Sequence, residues 1–338
     1  SLAGERLESA PEPADPPAIE DEPAFAYVFA WGDYYAPRAL HRLLQAGVLA
    51  RAASQPFTLP TRGGKKEFAC GSIVVPMGIQ KLEPKRVLAL LRQVISEDHV
   101  HVHAAQSGLA HEGVDLGSPS MKPLELPRVA IVVGPGINAH EAGEAWHLLD
   151  QRFHMPTTLL DSDRFSRCDL ARYTHLVLVD GSYSKDMAKR IDSWVEAGGV
   201  LLAGKRAARW AAENEIAKAE FKDAINVAEG DDRRDYAAYK TDSELQLLSG
   251  AIVMSDLDTT HPLGWGIHRR EFPVFCNSTM VMLPAKNRYQ TVAQLTKAPL
   301  LAGYVSPENL KRLSATASIV AQRHGKGTVV LMAHNLNF

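Results

Sequence analysis

The sequence predicts an α/β protein of two lobes, each with a mostly parallel sheet flanked by helices. Continuous apolar runs alternate with segments of helical periodicity along most of the chain, which is the pattern of parallel strands covered on both faces. The chain has 338 residues, of which 46% are hydrophobic and 22% charged, so it can bury two ordinary cores.

Residues 1–24 are predicted to be an extended linker. The stretch "PEPADPPAIEDEP" holds five of the 20 prolines together with acidic residues and few apolar side chains, a composition that cannot build a core. The sequence begins without Met and without a basic or apolar leader, and it ends just after a predicted strand. We therefore expect a piece of a longer protein, in which no targeting signal remains.

The N-terminal lobe is predicted over residues 25–122. Its first strand is "FAYVFAW", and a helix follows in "YYAPRALHRLLQAG", where Leu40, Leu43, Leu44 and Val48 recur at helical spacing. A strand at "GSIVVPMG" and a helix at "PKRVLALLRQVI" continue the alternation.

The second lobe is predicted over residues 123–338. Its strands "RVAIVV", "TTLLD", "HLVLVD" and "GVLLAG" alternate with the helices "HEAGEAWHLLDQRF" and "KDMAKRIDSWVEAG", as in a parallel sheet with crossover helices. The later part becomes β-rich, with "GAIVMSDLD", "FPVFCNSTMVML" and "ASIVAQRHGKGTVVLMA". We predict late strands of this lobe there, some of them antiparallel edge strands.

Charge and cysteine content argue against several kinds of partner. The formal net charge is -2, from 37 basic and 39 acidic residues, so we expect no nucleic-acid partner. No apolar run reaches the roughly 20 residues of a membrane span. Cys70, Cys168 and Cys276 lie far apart without a C-x-x-C pair, which indicates neither a disulfide framework nor a zinc knuckle.

The turn in "VVGPGINAHEAGE" is similar to a nucleotide-binding loop. Gly134, Gly136 and Ala139 fit the loose G-x-G-x-x-[GA] pattern between a strand and a helix. However, Pro135 separates the glycines, and Asp161, the first acidic residue after the next strand, comes late for a ribose contact. We therefore interpret the segment as a tight turn and predict no cofactor.

The following helix carries a candidate metal site. His140, Glu144 and His147 recur at i, i+4 and i+7, so two imidazoles and a carboxylate share one face. No ligand from outside the helix is identifiable. We predict that no metal binds, with these three residues as the ligands if that prediction fails.

A second spacing is typical of zinc peptidases. His268 and Glu271 have the His-x-x-Glu spacing of carboxypeptidase zinc ligands, but a third ligand should lie well downstream. Only His324 and His334 follow, both close to the end of the sequence. We interpret this spacing as a coincidence.

Residues 198–212, "GGVLLAGKRAARWAA", form a predicted strand that enters a helix through a glycine turn. In α/β hydrolases such a turn carries the nucleophile, whereas here it carries Lys205 and Arg206. No G-x-S-x-G or G-x-C-x-G occurs, Cys168 precedes a helix-like segment, and Cys276 lies in an apolar strand where a thiol is inert. We predict that the chain has no catalytic residue. We expect Lys205 to lie on the solvated start of a helix, where an anion could bind.

The loop "DLDTTHPLGWG" offers an acid and a base. Asp258 and His261 lie three residues apart after a predicted strand. If the chain is an enzyme, we expect this pair to act together with Lys205 and with Glu141 or Glu144.

Five longer motifs carry a resemblance to a known family: "WGDYYAPRALHRLLQAGV", "HEAGEAWHLLDQRFHMP", "DTTHPLGWG", "GYVSPENLKRL" and "HGKGTVVLMAHNLNF". They resemble the region downstream of the catalytic domain in large bacterial zinc carboxypeptidases of the carboxypeptidase A-like family. The resemblance spans roughly residues 25–338. It implies a class I glutamine amidotransferase-like, flavodoxin-like fold for the lobes.

The resemblance also implies a function. The chain would be a non-catalytic accessory region, binding or structural, of an exported zinc metallocarboxypeptidase. The upstream peptidase domain would be its partner and would hold the zinc, and Lys205 would replace the amidotransferase-like Cys. The alternative is a stand-alone hydrolase or amidotransferase-like enzyme that uses His261 and Asp258.

Overall fold

The chain divides into two compact units, Ser1–Glu125 and Leu126–Phe338. The computed structural model describes residues 18–20, 24–223, 225, 235–248 and 250–335, and each unit is presented by itself. The predicted linker at residues 1–24 lies mostly outside the described residues. Where it is described, Ile19 is buried and Glu20 forms an ion pair with Arg62 at 2.6 Å.

The first unit is a sheet of eight described strands with two α-helices, α1 (Ala36–Gln45) and α2 (Pro84–Asp98). Its strands are β1 (Ala26–Phe29), β2 (Arg51–Ala53), β3 (Phe57–Thr61), β4 (Gly64–Phe68), β5 (Ile73–Pro76), β6 (Val102–Ala105), β7 (Glu112–Gly113) and β8 (Met121–Pro123). The sheet order is β4-β3-β6-β1-β5-β2-β8, and β7 pairs with β3. Every one of these pairings is antiparallel.

The prediction of a mostly parallel sheet in the first lobe is wrong. The central strand β1 pairs antiparallel with both neighbours, β5 and β6. Tyr27 and Phe29 pack into a core shared with α1 and α2, whereas Ala26 and Val28 pack into a second core on the other face. The apolar run of β1 therefore results from burial on both faces, which does not determine the direction of the neighbouring strands.

The second unit is a mixed sheet with the helices α3 (Ala139–Trp146), α4 (Lys185–Glu196), α5 (Arg206–Glu213), α6 (Tyr239–Gln246) and α7 (Pro307–Leu313). A π-helical turn, His147–Arg152, continues α3. The strands are β9 (Val129–Val133), β10 (Thr157–Asp161), β11 (His175–Leu178), β12 (Val200–Gly204), β13 (Phe221–Lys222), β14 (Ala251–Leu257), β15 (Glu271–Cys276), β16 (Val281–Met282), β17 (Thr291–Gly303), β18 (Ala317–His324) and β19 (Gly327–Met332). The order is β10-β9-β11-β12-β19-β18-β17-β14-β15, and the short strand β16 pairs with β13 and β18.

The prediction of a mostly parallel sheet is also wrong for the second lobe. Strands β10, β9, β11, β12 and β19 form a parallel ladder, whereas β18, β17, β14 and β15 continue the sheet with antiparallel pairings. The helices α3 and α4 are crossovers between parallel strands, but a two-residue hairpin joins β18 to β19 and forces them antiparallel. The chain is therefore not a pair of mostly parallel flavodoxin-like or amidotransferase-like lobes.

The parallel part of this sheet brings three chain segments together. Strands β11, β12 and β19 are parallel neighbours, so their carboxyl ends meet at one edge. Asp180, Lys205 and His334 follow these strands. Open α/β sheets bind their ligands in the crevice outside such strand ends.

Candidate functional site

Lys205 lies on a sharp turn between β12 and α5. Its backbone angles are φ 51° and ψ -120°, a combination that L-residues rarely adopt and that costs about 1–3 kcal/mol. The N–H of Lys205 donates to the carbonyl of Met332 at 2.7 Å, so the adjacent strand β19 fixes the turn. This strand-turn-helix geometry is the one that presents a nucleophile in α/β hydrolases.

The prediction that Lys205 lies on the solvated start of a helix is wrong. The residue is only 5% exposed, because its side chain extends toward α3 instead of outward. Its Nζ donates to Oε1 of Glu141 at 2.5 Å and to Oδ1 of Asn277 at 2.6 Å. The other carboxylate oxygen of Glu141 accepts the N–H of Asp180 at 3.1 Å. The buried positive charge is therefore paired and hydrogen-bonded, as burial requires.

The start of α5 is bound by a carboxylate of the chain itself. Oδ1 of Asp180 accepts the backbone N–H of Arg206 at 3.2 Å, and the guanidinium of Arg206 donates to the same carboxylate at 2.8 Å. The hydrogen bond from Asp180 raises the pKa of Arg206 above its ordinary value. Asp180 thus occupies the helix start at which an anion could have bound.

A cavity of about 210 Å³ lies beside Lys205, over the strand ends. Its polar wall includes Glu141, Lys205, His334 and Asn335. The rest is mainly apolar and comes from α3 with its π-helical turn and from β11, β12 and β19; examples are Ala145, Leu148, Leu149, Val177, Leu202 and Met332.

His334 is a buried imidazole in the wall of this cavity. The residue is 3% exposed, and neither ring nitrogen has a hydrogen-bond partner among the described residues. Burial, and secondarily the charge of Lys205, lowers the pKa of His334 to about 4. The ring is therefore neutral near pH 7, with one N–H donor and one acceptor nitrogen.

The structure does not assemble the predicted metal trio. His140 and His147 are exposed on α3 and the turn that follows it. Glu144 is half-buried, and its Oε2 accepts the side-chain amide of Asn335 at 2.6 Å. Glu144 therefore supports the wall of the cavity.

Another group of metal-ligating side chains does lie together in the described part of the chain. Ligand atoms of Asp192, Glu196 and His324 are all within 4.8 Å of one another. Nε2 of His324 and Oδ1 of Asp192 are 2.6 Å apart, which ties the β18–β19 hairpin to α4. His268 and Glu271, with which His324 was compared in the sequence, are exposed elsewhere and are not part of this group.

Asp258 and His261, the predicted acid and base, form hydrogen bonds within their own loop after β14. The carboxylate of Asp258 accepts the hydroxyl of Thr260 at 2.6 Å, and this bond lowers the pKa of Asp258. Nδ1 of His261 accepts the N–H of Leu263 at 3.2 Å, and burial lowers the pKa of His261. Ala251, at the start of β14, pairs with Cys276, whose neighbour Asn277 contacts Lys205. Asp258 and His261 follow the opposite end of β14, so the sheet does not bring this pair beside Lys205.

The glycine-rich turn after β9 is closely packed. A Cβ at Gly134 would lie 2.4 Å from Oγ of Ser162. The side chain of Asn138 accepts the N–H groups of His140 and Glu141 at 3.0 and 3.3 Å. The start of α3 is therefore capped by its own chain, which supports the interpretation as a tight turn.

None of the three cysteines lies on the turn after β12. Cys276 is buried at the end of β15, and burial raises the pKa of its thiol to about 11. Cys70 and Cys168 are half-buried free thiols. A buried thiol with a raised pKa is a poor nucleophile.

Sequence analysis missed several residues of the site around Lys205. Sequence patterns single out neither Asp180 nor Asn277, and they point to His334 only as a possible zinc ligand. Asp180 ends a predicted strand and His334 directly follows one, which is the position of ligand-binding residues in α/β sheets. Asn277 carries no such signal, because it lies inside the predicted strand "FPVFCNSTMVML". Lys205 and Glu141 are 64 residues apart along the chain, and no spacing pattern in the sequence links two residues at that distance.

No family model and no curated protein matches the chain. Among solved structures it is similar to an exo-β-1,4-mannosidase from Opitutaceae bacterium strain TAV5, at 15% identity and TM-score 0.37 over 62% of this chain and 31% of that one. A ThuA-like protein from Parabacteroides merdae matches at 13% identity and TM-score 0.40, over 61% of this chain and 79% of that one. A β-galactosidase from Bacillus circulans matches at 15% identity and TM-score 0.32, over 62% of this chain and 28% of that one. The chain thus spans under a third of either glycosidase, and likenesses at these TM-scores carry no argument about function.

None of the helices in the described residues combines the length and the apolar character that crossing a membrane requires.

Proposed function

We propose that this chain is a non-catalytic accessory region with a binding or structural role in a larger protein. The proposal rests on the side chains found at the turn between β12 and α5. Acyl transfer at such a turn needs a hydroxyl or thiol nucleophile and N–H groups that stabilise an oxyanion. Here Lys205 takes the place of the nucleophile, bound by Glu141 and Asn277. The carboxylate of Asp180 accepts the N–H of Arg206, the next residue.

As the larger protein we propose an exported bacterial zinc metallocarboxypeptidase. The five quoted motifs support this part of the proposal, and they occur in both units of the chain. The peptidase domain would lie upstream, would hold the zinc and would be the partner of this region.

The alternative, a stand-alone hydrolase that uses Asp258 and His261, is less well supported. Both side chains are hydrogen-bonded within their own loop, to Thr260 and to the N–H of Leu263. A general base needs to reach the proton that it removes.

Activity assays on the chain test the non-catalytic role. We expect no hydrolysis of glutamine or of p-nitrophenyl acetate above the buffer rate. Lys205→Ala and His261→Ala remove the two groups that a hidden active site would need, and His140→Ala is the control at an exposed position. Turnover by the unmodified chain that disappears in Lys205→Ala or His261→Ala, and persists in the control, would overturn the proposal.

The reading frame of the gene tests the proposed parent protein. We expect a long zinc-peptidase sequence upstream of residue 1. An initiating Met directly before residue 1 would contradict the parentage and leave the assays above to decide the chemistry of the turn.

A further inference from the structure

Asp192, Glu196 and His324 form a group of metal-ligating side chains in the second unit. Asp192 and Glu196 are four residues apart on α4, so both carboxylates lie on one face of the helix near its end. His324 is the last residue of β18, and the hairpin to β19 brings its ring beside that face. Ligand atoms of the three side chains lie within 4.8 Å of one another. Two elements that are far apart in the sequence thus place their donors around one point.

The backbone holds the hairpin against the end of α4. The N–H of Lys326, in the hairpin, donates to the carbonyl of Glu196 at 3.0 Å, and the N–H of Thr328 donates to the carbonyl of Gly199 at 3.1 Å. A Cβ at Gly325 would lie 2.7 Å from Cα of Glu196, so a larger residue there would push the hairpin away from the helix. The ligands are therefore brought together before any ion binds, which lowers the entropic cost of binding.

The spacing of the ligand atoms suits a transition-metal ion. Ligands at about 2.0–2.1 Å from Zn²⁺ lie about 3.3 Å from one another in a tetrahedral site. Nε2 of His324 and Oδ1 of Asp192 are 2.6 Å apart, so this pair must open by under about 1 Å. The wider pairs, all within 4.8 Å, must close by at most about 1.5 Å. Rotation of the side chains between and within their staggered conformations allows movements of this size.

The group is accessible from solvent. The side chain of His324 is 25% exposed and that of Asp192 is 38% exposed, and Glu196 is exposed. The carboxylate of Glu196 has no ion-pair partner in the described part of the chain. An ion can therefore enter from solvent and keep a water molecule as its fourth ligand, as zinc does where a protein supplies three.

The donor set favours zinc over the common alkaline-earth ions. Imidazole nitrogen is a ligand for zinc and other transition metals, whereas calcium and magnesium bind through oxygen. The two carboxylates balance the charge of a divalent ion, and the imidazole adds a neutral nitrogen donor. The ion takes the place of the hydrogen between Nε2 of His324 and Asp192, since metal ligands bind through deprotonated atoms.

We propose that Asp192, Glu196 and His324 bind one zinc ion, which clamps the β18–β19 hairpin to α4. The site is distinct from the trio considered on α3, and it replaces the sequence-based expectation that the chain binds no metal. The inference goes beyond the proposed function, because the zinc lies in this region itself and does not depend on a carboxypeptidase parent.

Zinc titration of the metal-free chain tests the proposal. The chain is stripped with a chelator, and binding is measured by calorimetry and by equilibrium dialysis with elemental analysis. We expect one zinc ion per chain, with a dissociation constant of about 10 μM or tighter. The unfolding midpoint should rise with zinc concentration, because the ion binds the folded state. Calcium and magnesium should bind at least about tenfold more weakly, since neither favours a nitrogen ligand.

Two variants locate the ion. Glu196→Gln keeps the size of the side chain and leaves the Asp192–His324 contact intact, so it tests the ion without loosening the hairpin. His324→Phe keeps a planar ring and removes both nitrogens. Each should weaken zinc binding by at least about tenfold, because loss of a group that merely supports a ligand already costs about 10–100-fold. The imidazole NMR signals that are missing from His324→Phe should shift when zinc is added to the unmodified chain.

Glu213→Gln, at an exposed position of α5, is the matched control. It makes the same change of charge as Glu196→Gln and should bind zinc as the unmodified chain does. Circular dichroism establishes that each variant is folded.

Several results would overturn the proposal. They are the absence of zinc binding at about 1 mM, a hundred times the weakest affinity expected, unchanged zinc affinity in folded Glu196→Gln or His324→Phe, an equal loss of affinity in Glu213→Gln, or calcium binding as tightly as zinc. None of these results bears on the activity assays, so the zinc site and the non-catalytic role can fail independently.

Discussion

Replacing His334 with phenylalanine is expected to make the second unit less sensitive to acid. In the folded chain the pKa of His334 lies at about 4, because burial and the nearby charge of Lys205 disfavour the imidazolium. In the unfolded chain the pKa returns to about 6.5. Between these values the unfolded state binds a proton that the folded state does not. The folded state therefore loses stability as the pH falls through about 6.5 toward 4.

The magnitude follows from the two pKa values. The full difference corresponds to about 3 kcal/mol, of which about 2 kcal/mol is lost between about pH 8 and about pH 5. Phenylalanine has no titratable group, so His334→Phe removes this contribution. The other titratable groups are common to both proteins, and their contributions cancel in the difference.

The assay is urea unfolding at the two pH values, followed by tryptophan fluorescence. Four of the five tryptophans lie in the second unit, so they report its unfolding. At each pH we subtract the free energy of unfolding of the unmodified chain from that of His334→Phe. This difference should be about 2 kcal/mol larger at about pH 5 than at about pH 8. His140→Phe reports the effect of the same substitution on the surface. A difference for His334→Phe that does not change with pH would refute the burial argument.

Three further predictions concern the same unit. Gly327→Ala should lower the free energy of unfolding by about 1–3 kcal/mol, because the added Cβ would lie 2.2 Å from the carbonyl oxygens of Gly199 and Val195; urea unfolding measures this, and an unchanged midpoint would contradict the close contact. Lys205→Gly should be more stable than Lys205→Ala by about 1 kcal/mol, because only glycine tolerates this turn without strain; equal stabilities would contradict the strain. Cys276 should react with iodoacetamide far more slowly in the native chain than after unfolding, because its thiol is buried and its pKa raised to about 11; peptide mass spectrometry measures the rate, and rapid native labelling would contradict the burial.

Sequence patterns located elements better than they determined strand direction. The helix at Ala36–Gln45 and the strand at Val200–Gly204 lie where periodicity predicted them. The direction of β1 could not be derived, because Tyr27 and Phe29 would be apolar in either arrangement. What selects a parallel or antiparallel partner is the connection between strands, and β1 pairs with strands more than 40 residues away along the chain.

The site shows the same limit. The turn at Lys205 was identified from its strand, glycine and helix, which are local features. The burial of Lys205 was not, because its partners Glu141 and Asn277 lie 64 and 72 residues away. His334 joins the site only because β19, at the end of the described chain, pairs with β12. That pairing spans more than 100 residues and leaves no trace in local periodicity.

The turn at Lys205 and the residues around it are not optimised for stability. The backbone strain at Lys205 costs about 1–3 kcal/mol, and a buried ion pair such as Lys205–Glu141 adds little net stability compared with apolar packing. His334 adds a further cost, because its ring nitrogens are buried without partners among the described residues. A region selected only for stability would replace these three features with apolar side chains. Stability alone therefore does not explain why these three features lie together at the strand ends.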